Sequence, residues 1–139
     1  MSFRDKIIYV SGKYSESTKE ARQVNIDRMM DVAAKVWDLG YTCISPNGNT
    51  AHLDDIVKGT TYKDFIEGDC YIISRCDAVL MMDNWKSSKG ATEEREYALR
   101  IGKPVLYSLE ELANWNRPDM SLFDNSYIDL EEDVDPLRN

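Results

Sequence analysis

The sequence predicts a single doubly wound α/β domain, a mostly parallel sheet of four to five strands with helices on both faces. Three observations predict it. Short apolar runs rich in β-branched residues alternate with longer stretches of helical period. Each run closes on small or polar residues. A length of 139 residues, 42% of them hydrophobic, suits one domain spanning 1–139 with its own core. Such alternation implies right-handed crossovers between parallel strands.

Ile7-Ile8-Tyr9-Val10, closed by Ser11-Gly12, reads as a first strand buried on both faces. From Thr18 to Leu39, Ile26, Met29, Met30, Ala33, Val36 and Trp37 fall at helical spacing, and Gly40 supplies the stop. Tyr41 to Ile44 makes a second strand, ended by Ser45-Pro46-Asn47-Gly48. The stretch from Asn47 to Lys58 has no clear period and reads as a loop with a turn of helix around Asp54 to Val57. A helix over Thr61 to Ser74 precedes a third strand, Ala78 to Met82. The segment SSKGATEEREYALRIGKP, residues 87–104, carries a third helix that Gly102-Lys103-Pro104 breaks. Val105 to Tyr107 then forms a fourth strand, Leu109 to Trp115 a last helix, and 128–139 an acidic tail.

Composition narrows the function. A formal net charge of -8 argues against binding a nucleic-acid polymer or an anionic membrane, both of which need a basic footprint. Small nucleotides remain open. The amino terminus has an apolar run of only four residues before Ser11, too short for a signal peptide or a membrane span, so the expected compartment is the cytoplasm. Cys43, Cys70 and Cys76 lack CxxC spacing, and His52 is the only histidine, which argues against a disulfide framework and a metal site. His52 itself reads as a surface residue.

Ligands of doubly wound sheets bind at the carboxyl ends of the strands. Those ends are Ser11-Gly12-Lys13, Pro46-Asn47-Gly48 and Asp83 to Ser88, and the three loops are expected to converge on one pocket. Within the helix from Thr61 to Ser74, Asp69 sits on the apolar stripe of Tyr62, Phe65, Ile66, Ile72 and Ile73. A carboxylate there either faces the interior, with a pKa raised toward general acid or base work, or it caps a loop, or Gly68 breaks the helix and turns it outward. Ser87, Ser88 and Gly90 open the backbone at the start of the next helix to an anion, with Lys86 and Lys89 adding positive charge. Glu93 and Glu94 then read either as first-turn capping residues or as an ionised nucleophile held by the helix dipole. Trp85 is either a stacking platform for a base or a buried ring.

The ordered set Trp85-x-x-Ser88-x-Gly90-Ala91-x-x-Glu94-x-x-x-Ala98-x-x-x-Gly102-Lys103-Pro104, with Tyr9-Val10-Ser11-Gly12 and Asp69, resembles the nucleoside 2-deoxyribosyltransferase superfamily. The likeness runs from Lys6 to Val105. Within the superfamily the chain is most similar to the small, often phage-borne proteins grouped with 2'-deoxynucleoside 5'-monophosphate N-glycosidases. The resemblance implies a Rossmann-like fold, a nucleophile at Glu94, proton transfer by Asp69 and orientation of Glu94 by Tyr9. It further implies a small-molecule nucleotide or nucleoside as substrate, a homodimer, and no metal or organic cofactor. For a phage-encoded chain the compartment is the host cytoplasm.

Nucleoside-using transferases commonly carry a carboxylate six residues before the nucleophile, where the monophosphate hydrolases have serine, and this chain has Ser88. A hydroxyl beside helix amides accepts a phosphate that a carboxylate would repel. Gly12-Lys13-Tyr14-Ser15 stands where the hydrolases carry an arginine, with Lys13 as a substitute point charge, and Thr92 stands where they often have glycine. Asn125-Ser126-Tyr127 loosely echoes the stretch that reaches a neighbouring subunit's site. The expected substrate-binding set is Gly12, Lys13, Asn47, Ser87, Ser88 and Gly90. The expected function is hydrolysis of the N-glycosidic bond of a (deoxy)nucleoside 5'-monophosphate; transfer of deoxyribose between bases and a non-catalytic nucleotide sensor are the alternatives.

Overall fold

Four parallel strands in the order β2-β1-β3-β4 organise residues 2–115, the part of the chain that this computed structural model describes. The expected tail at 128–139 and Asn125-Ser126-Tyr127 lie outside the described residues. The strands are β1 (Phe3–Ser11), β2 (Tyr41–Ile44), β3 (Ala78–Met81) and β4 (Val105–Leu106). Five helices join and follow them: α1 (Lys19–Asp38), α2 (Pro46–Asn49), α3 (Tyr62–Ser74), α4 (Lys89–Arg100) and α5 (Leu109–Trp115).

Period-two alternation in β1 and β3 divides the core in two. Ile8, Val10, Ala78 and Leu80 face Met29 and Val36 of α1 and Leu112 of α5. Tyr9, Val79 and Met81 face the opposite way, onto Ile73 of α3 and Ala91 and Ala98 of α4. Both faces of the sheet are therefore covered, as a sheet whose central strands are apolar throughout requires. Each large aliphatic side chain buried in this way contributes about 1.5–3 kcal/mol.

β1 is longer than its apolar run. Phe3 pairs in register with Tyr41 and stacks on its ring at 5.2 Å, which carries the strand back through a polar stretch with an irregular register between Phe3 and Ile7. α1 starts where Thr18 accepts a hydrogen bond from the Ala21 amide and stops before Gly40, whose φ of 100° suits glycine. Met30 and Trp37 were expected on its buried stripe and are instead exposed; the Arg4 guanidinium covers the Trp37 ring at 5.1 Å.

The segment expected as a loop over 47–58 holds α2 and a 3₁₀ turn at Leu53–Asp55, a turn one to two residues earlier than expected. Pro46 at the head of α2 has a preset φ, and the buried Asn47 amide donates to the Lys13 carbonyl. His52 is not a plain surface residue. It sits at φ 58° with its imidazole half-buried, Nε2 lying 2.7 Å from the Gln23 side-chain oxygen. A capping box between Thr61 and Asp64 starts α3, which runs unbroken through Gly68. Gly68 thus neither ends the helix nor turns Asp69 away.

Candidate active site

The strand order reverses between β1 and β3, so the crevice of the sheet opens beyond their carboxyl ends. A cavity of about 740 Å³ lies there, walled by the loop after β1, by α2, by α3 and by the start of α4. The three expected loops do meet in it, although the third contributes only Ser87 and Ser88, while Asp83 lines a smaller, separate hollow.

Glu94 forms part of the cavity wall and is only 4% exposed. Its carboxylate is held from beneath by two residues of β1 that period two places on one face. The Tyr9 phenol donates to Oε2 at 3.0 Å, and the Ser11 hydroxyl donates to Oε1 at 2.7 Å. Asp69 of α3 reaches the same group from the side and is hydrogen-bonded to it. Tyr9, Asp69 and Glu94 therefore meet, although they come from three separate segments.

Glu94 is not in the first helical turn. α4 begins at Lys89, its first turn holds no acid, and Glu94 lies in the second turn. The helix dipole fades beyond the first turn and so cannot be what ionises it. Burial pushes the Glu94 carboxyl well above its ordinary range, and the neighbouring Asp69 pushes it further, while the bonds from Ser11 and Tyr9 pull it back. Burial raises Asp69 as well, and raises the Tyr9 phenol far above its usual value. Two carboxyl groups so placed resist ionising together. One proton over two carboxyls can supply both an ionised nucleophile and a loaded acid.

Glu93 points elsewhere. It lies 3.5 Å from the Tyr62 hydroxyl and 4.0 Å from the Lys89 ammonium, on the rim. Gly12, Lys13, Asn47, Ser87, Ser88 and Gly90 all line the cavity, but most of their polar groups are engaged. The Ser88 hydroxyl accepts from the Ala91 amide as the cap of α4, and Ser87 donates to the Asn84 carbonyl. The Lys13 ammonium is paired with Glu16 at 3.0 Å. A side chain at Gly12 would sit 2.5 Å from the Met82 sulfur, so this glycine answers to core packing.

Lys86 is spent on the Trp85 ring, 5.8 Å from its centroid, and neither residue lines the cavity. Trp85 is half-buried against Tyr107 and Arg95, outside the cavity, so it is neither a fully buried ring nor placed to stack on a base there. Sequence reasoning placed Ser11 in a strand-end loop of the pocket but gave it no role toward Glu94, and it missed the cavity pair Tyr14 and Asp54, whose side chains are 2.7 Å apart. The role of Ser11 could have been found, since it lies two residues beyond Tyr9 on the same face.

Residues 6–107 match the family described as "Domain of unknown function (DUF4406)". Among solved structures, a 2-deoxyribosyltransferase from the psychrotolerant bacterium Bacillus psychrosaccharolyticus is similar in fold, with a TM-score of 0.50 and 19% sequence identity over 94% of this chain and 93% of that one. No curated protein matches. Among the described residues, no helix is long and apolar enough to cross a membrane.

Proposed function

The chain belongs to the DUF4406 family, and we propose that it is a hydrolase cleaving the N-glycosidic bond of a (deoxy)nucleoside 5'-monophosphate. One observation carries the reading. Glu94 lies in the crevice wall with each carboxylate oxygen held by its own donor and with Asp69 alongside as a second, protonatable carboxyl. That is the arrangement a glycosyl transfer through a covalent intermediate needs.

In this mechanism an oxygen of Glu94 attacks the anomeric carbon C1'. The C1'–N bond breaks with its electron pair going to the base, which takes a proton from Asp69. The sugar is then esterified to Glu94. Water attacks C1', Asp69 takes its proton, and the C1'–Glu94 bond breaks to give deoxyribose 5-phosphate and the free carboxylate. Tyr9 holds the nucleophile in place throughout. The step needs neither metal nor organic cofactor.

The start of α4 supports a monophosphate. Its first turn carries no acid, Lys89 and Gly90 line the cavity with Ser87 and Ser88, and amides at a helix start favour an anion. A second reading, transfer of deoxyribose between bases, is supported by the fold shared with a 2-deoxyribosyltransferase. It differs only in which nucleophile resolves the glycosyl-enzyme.

The test is a panel of deoxynucleoside monophosphates and free nucleosides, each with and without an acceptor base, followed by chromatography of the released base. Release from monophosphates without acceptor, lost in Glu94→Ala, supports the hydrolase. Turnover of nucleosides only with acceptor supports the transferase. Tight binding without turnover would replace both with a sensor.

A further inference from the structure

We propose that Ser11 is a positioning residue whose buried hydroxyl, aimed at Oε1 of Glu94, keeps that carboxyl charged and so keeps the proton of the pair on Asp69. The proposal rests on the reading of Glu94 as nucleophile, and it concerns how one shared proton is divided.

With one proton on the pair there are two arrangements. Glu94 protonated beside an ionised Asp69 has a blunted nucleophile and no acid; the reverse has both an attacking carboxylate and a donor for the leaving base. Burial favours the unproductive arrangement, because Glu94 is buried whereas Asp69 is half-buried, and the bond between the two carboxyls, which raises Glu94 and lowers Asp69, favours it as well. Something must oppose it. The groups facing Glu94 are Tyr9 and Ser11 from β1, with Asp69, Cys70 and Tyr62 from α3. Among the described residues none of these groups is a cation. Hydrogen-bond donation is then the means of favouring the charged form, and the 2.7 Å bond from Ser11 is the shorter of the two from β1.

Ser11 is fully buried and does not line the cavity, so it reaches substrate only through Glu94. Its place in β1, paired with Met81 of β3 in the middle of the sheet, fixes the hydroxyl against a rigid backbone. Tyr9 alone would leave Oε1 without a donor from β1. The carboxylate would then be free to rotate about its last torsion, and the proton would settle on Glu94.

The test compares wild type with Ser11→Ala, and with Ser11→Cys, which keeps the shape and weakens the donor. Carbon-13 NMR of glutamate-labelled protein, with the Glu94 signal assigned through Glu94→Gln, reads its titration without substrate. In Ser11→Ala that titration moves to higher pH, and in Ser11→Cys it moves part of the way. With the nucleotide on which wild type is active, kcat falls on the order of tenfold to a hundredfold, the worth of a hydrogen bond to a charged group, while KM changes less than about threefold. An unchanged Glu94 titration in a folded Ser11 variant overturns the proposal. So does a loss confined to KM. If wild type releases no base, the functional reading fails, while the NMR titration still decides whether Ser11 controls the charge of Glu94. If Ser11→Ala does not fold, Ser11→Cys carries the same comparison.

Discussion

Tyr9 and Glu94 meet through one buried hydrogen bond, phenol to Oε2 at 3.0 Å, across 85 residues of chain. The donor stands on the central strand and the acceptor on the helix that follows β3, so the relative position of two core elements sets the orientation of one carboxylate. A group built on strand and helix, not on loops, is held with the precision that attack on a single carbon demands.

Tyr9→Phe removes that donor and leaves the ring in the buried cluster that holds Ile73 and Val79. The expected result is a fall in kcat on the order of tenfold to a hundredfold with a melting temperature within a few degrees of wild type. Steady-state kinetics and a thermal melt check both halves.

Glu94→Gln keeps the shape of the side chain and removes an acid that burial and Asp69 both disfavour in its charged form. Activity is expected to fall at least roughly a thousandfold, while stability at neutral pH rises by about 0.5–2 kcal/mol, the usual trade between a strained site and its scaffold. Urea unfolding monitored by fluorescence reads the gain. A variant less stable than wild type would mean that the carboxyl supports the fold.

The same shift fixes the sign of the pH dependence. The folded protein holds the proton shared by Glu94 and Asp69 more tightly than the unfolded chain holds either, because burial raises both carboxyls and Asp69 further disfavours a charged Glu94. The folded state therefore binds more protons above the ordinary carboxylate range, and stability falls as pH rises. This contribution is complete below the ordinary glutamate value and lost once the pH passes the raised one. As the pH rises above the ordinary glutamate range, wild type should lose stability relative to Glu94→Gln, which lacks the group. Parallel curves for the two proteins would contradict the assignment.

Much of this was legible in the residues, and each lapse has a physical cause. Apolar runs bounded by glycine and serine located all four strands, because central strands of a parallel sheet bury both faces. The apolar stripe put Asp69 on the inner side of its helix, where it is half-buried in the cavity wall. Phe3 to Lys6 escaped notice because their pairing with β2 depends on a distant ring, Tyr41. Pro46-Asn47-Gly48-Asn49 reads as turn chemistry yet closes a short helix, since Asn47 finds a buried partner in Lys13. The start of α4 was misjudged: glutamates look like first-turn residues, but Ser88 caps the helix a full turn earlier. Lys13 looked free for a phosphate, and only tertiary structure gives it Glu16.

Gly12 supplies a check on the packing behind the cavity. A β-carbon there would come within 2.5 Å of the Met82 sulfur and 3.1 Å of the Met82 β-carbon, and the second atom cannot swing away. Gly12→Ala is expected to lose about 1–3 kcal/mol. Pairing it with Met82→Ala should cost less than the sum of the two changes, because the second makes room for the first. Additive costs in urea unfolding would place the strain elsewhere.

The most direct measurement is acid quench of enzyme mixed with a deoxynucleoside monophosphate, followed by peptide mass spectrometry. A deoxyribosyl phosphate adduct on the peptide carrying Glu94, absent from Glu94→Gln, is the predicted result. Base release that survives Glu94→Gln, with no sugar on that peptide, would contradict the account.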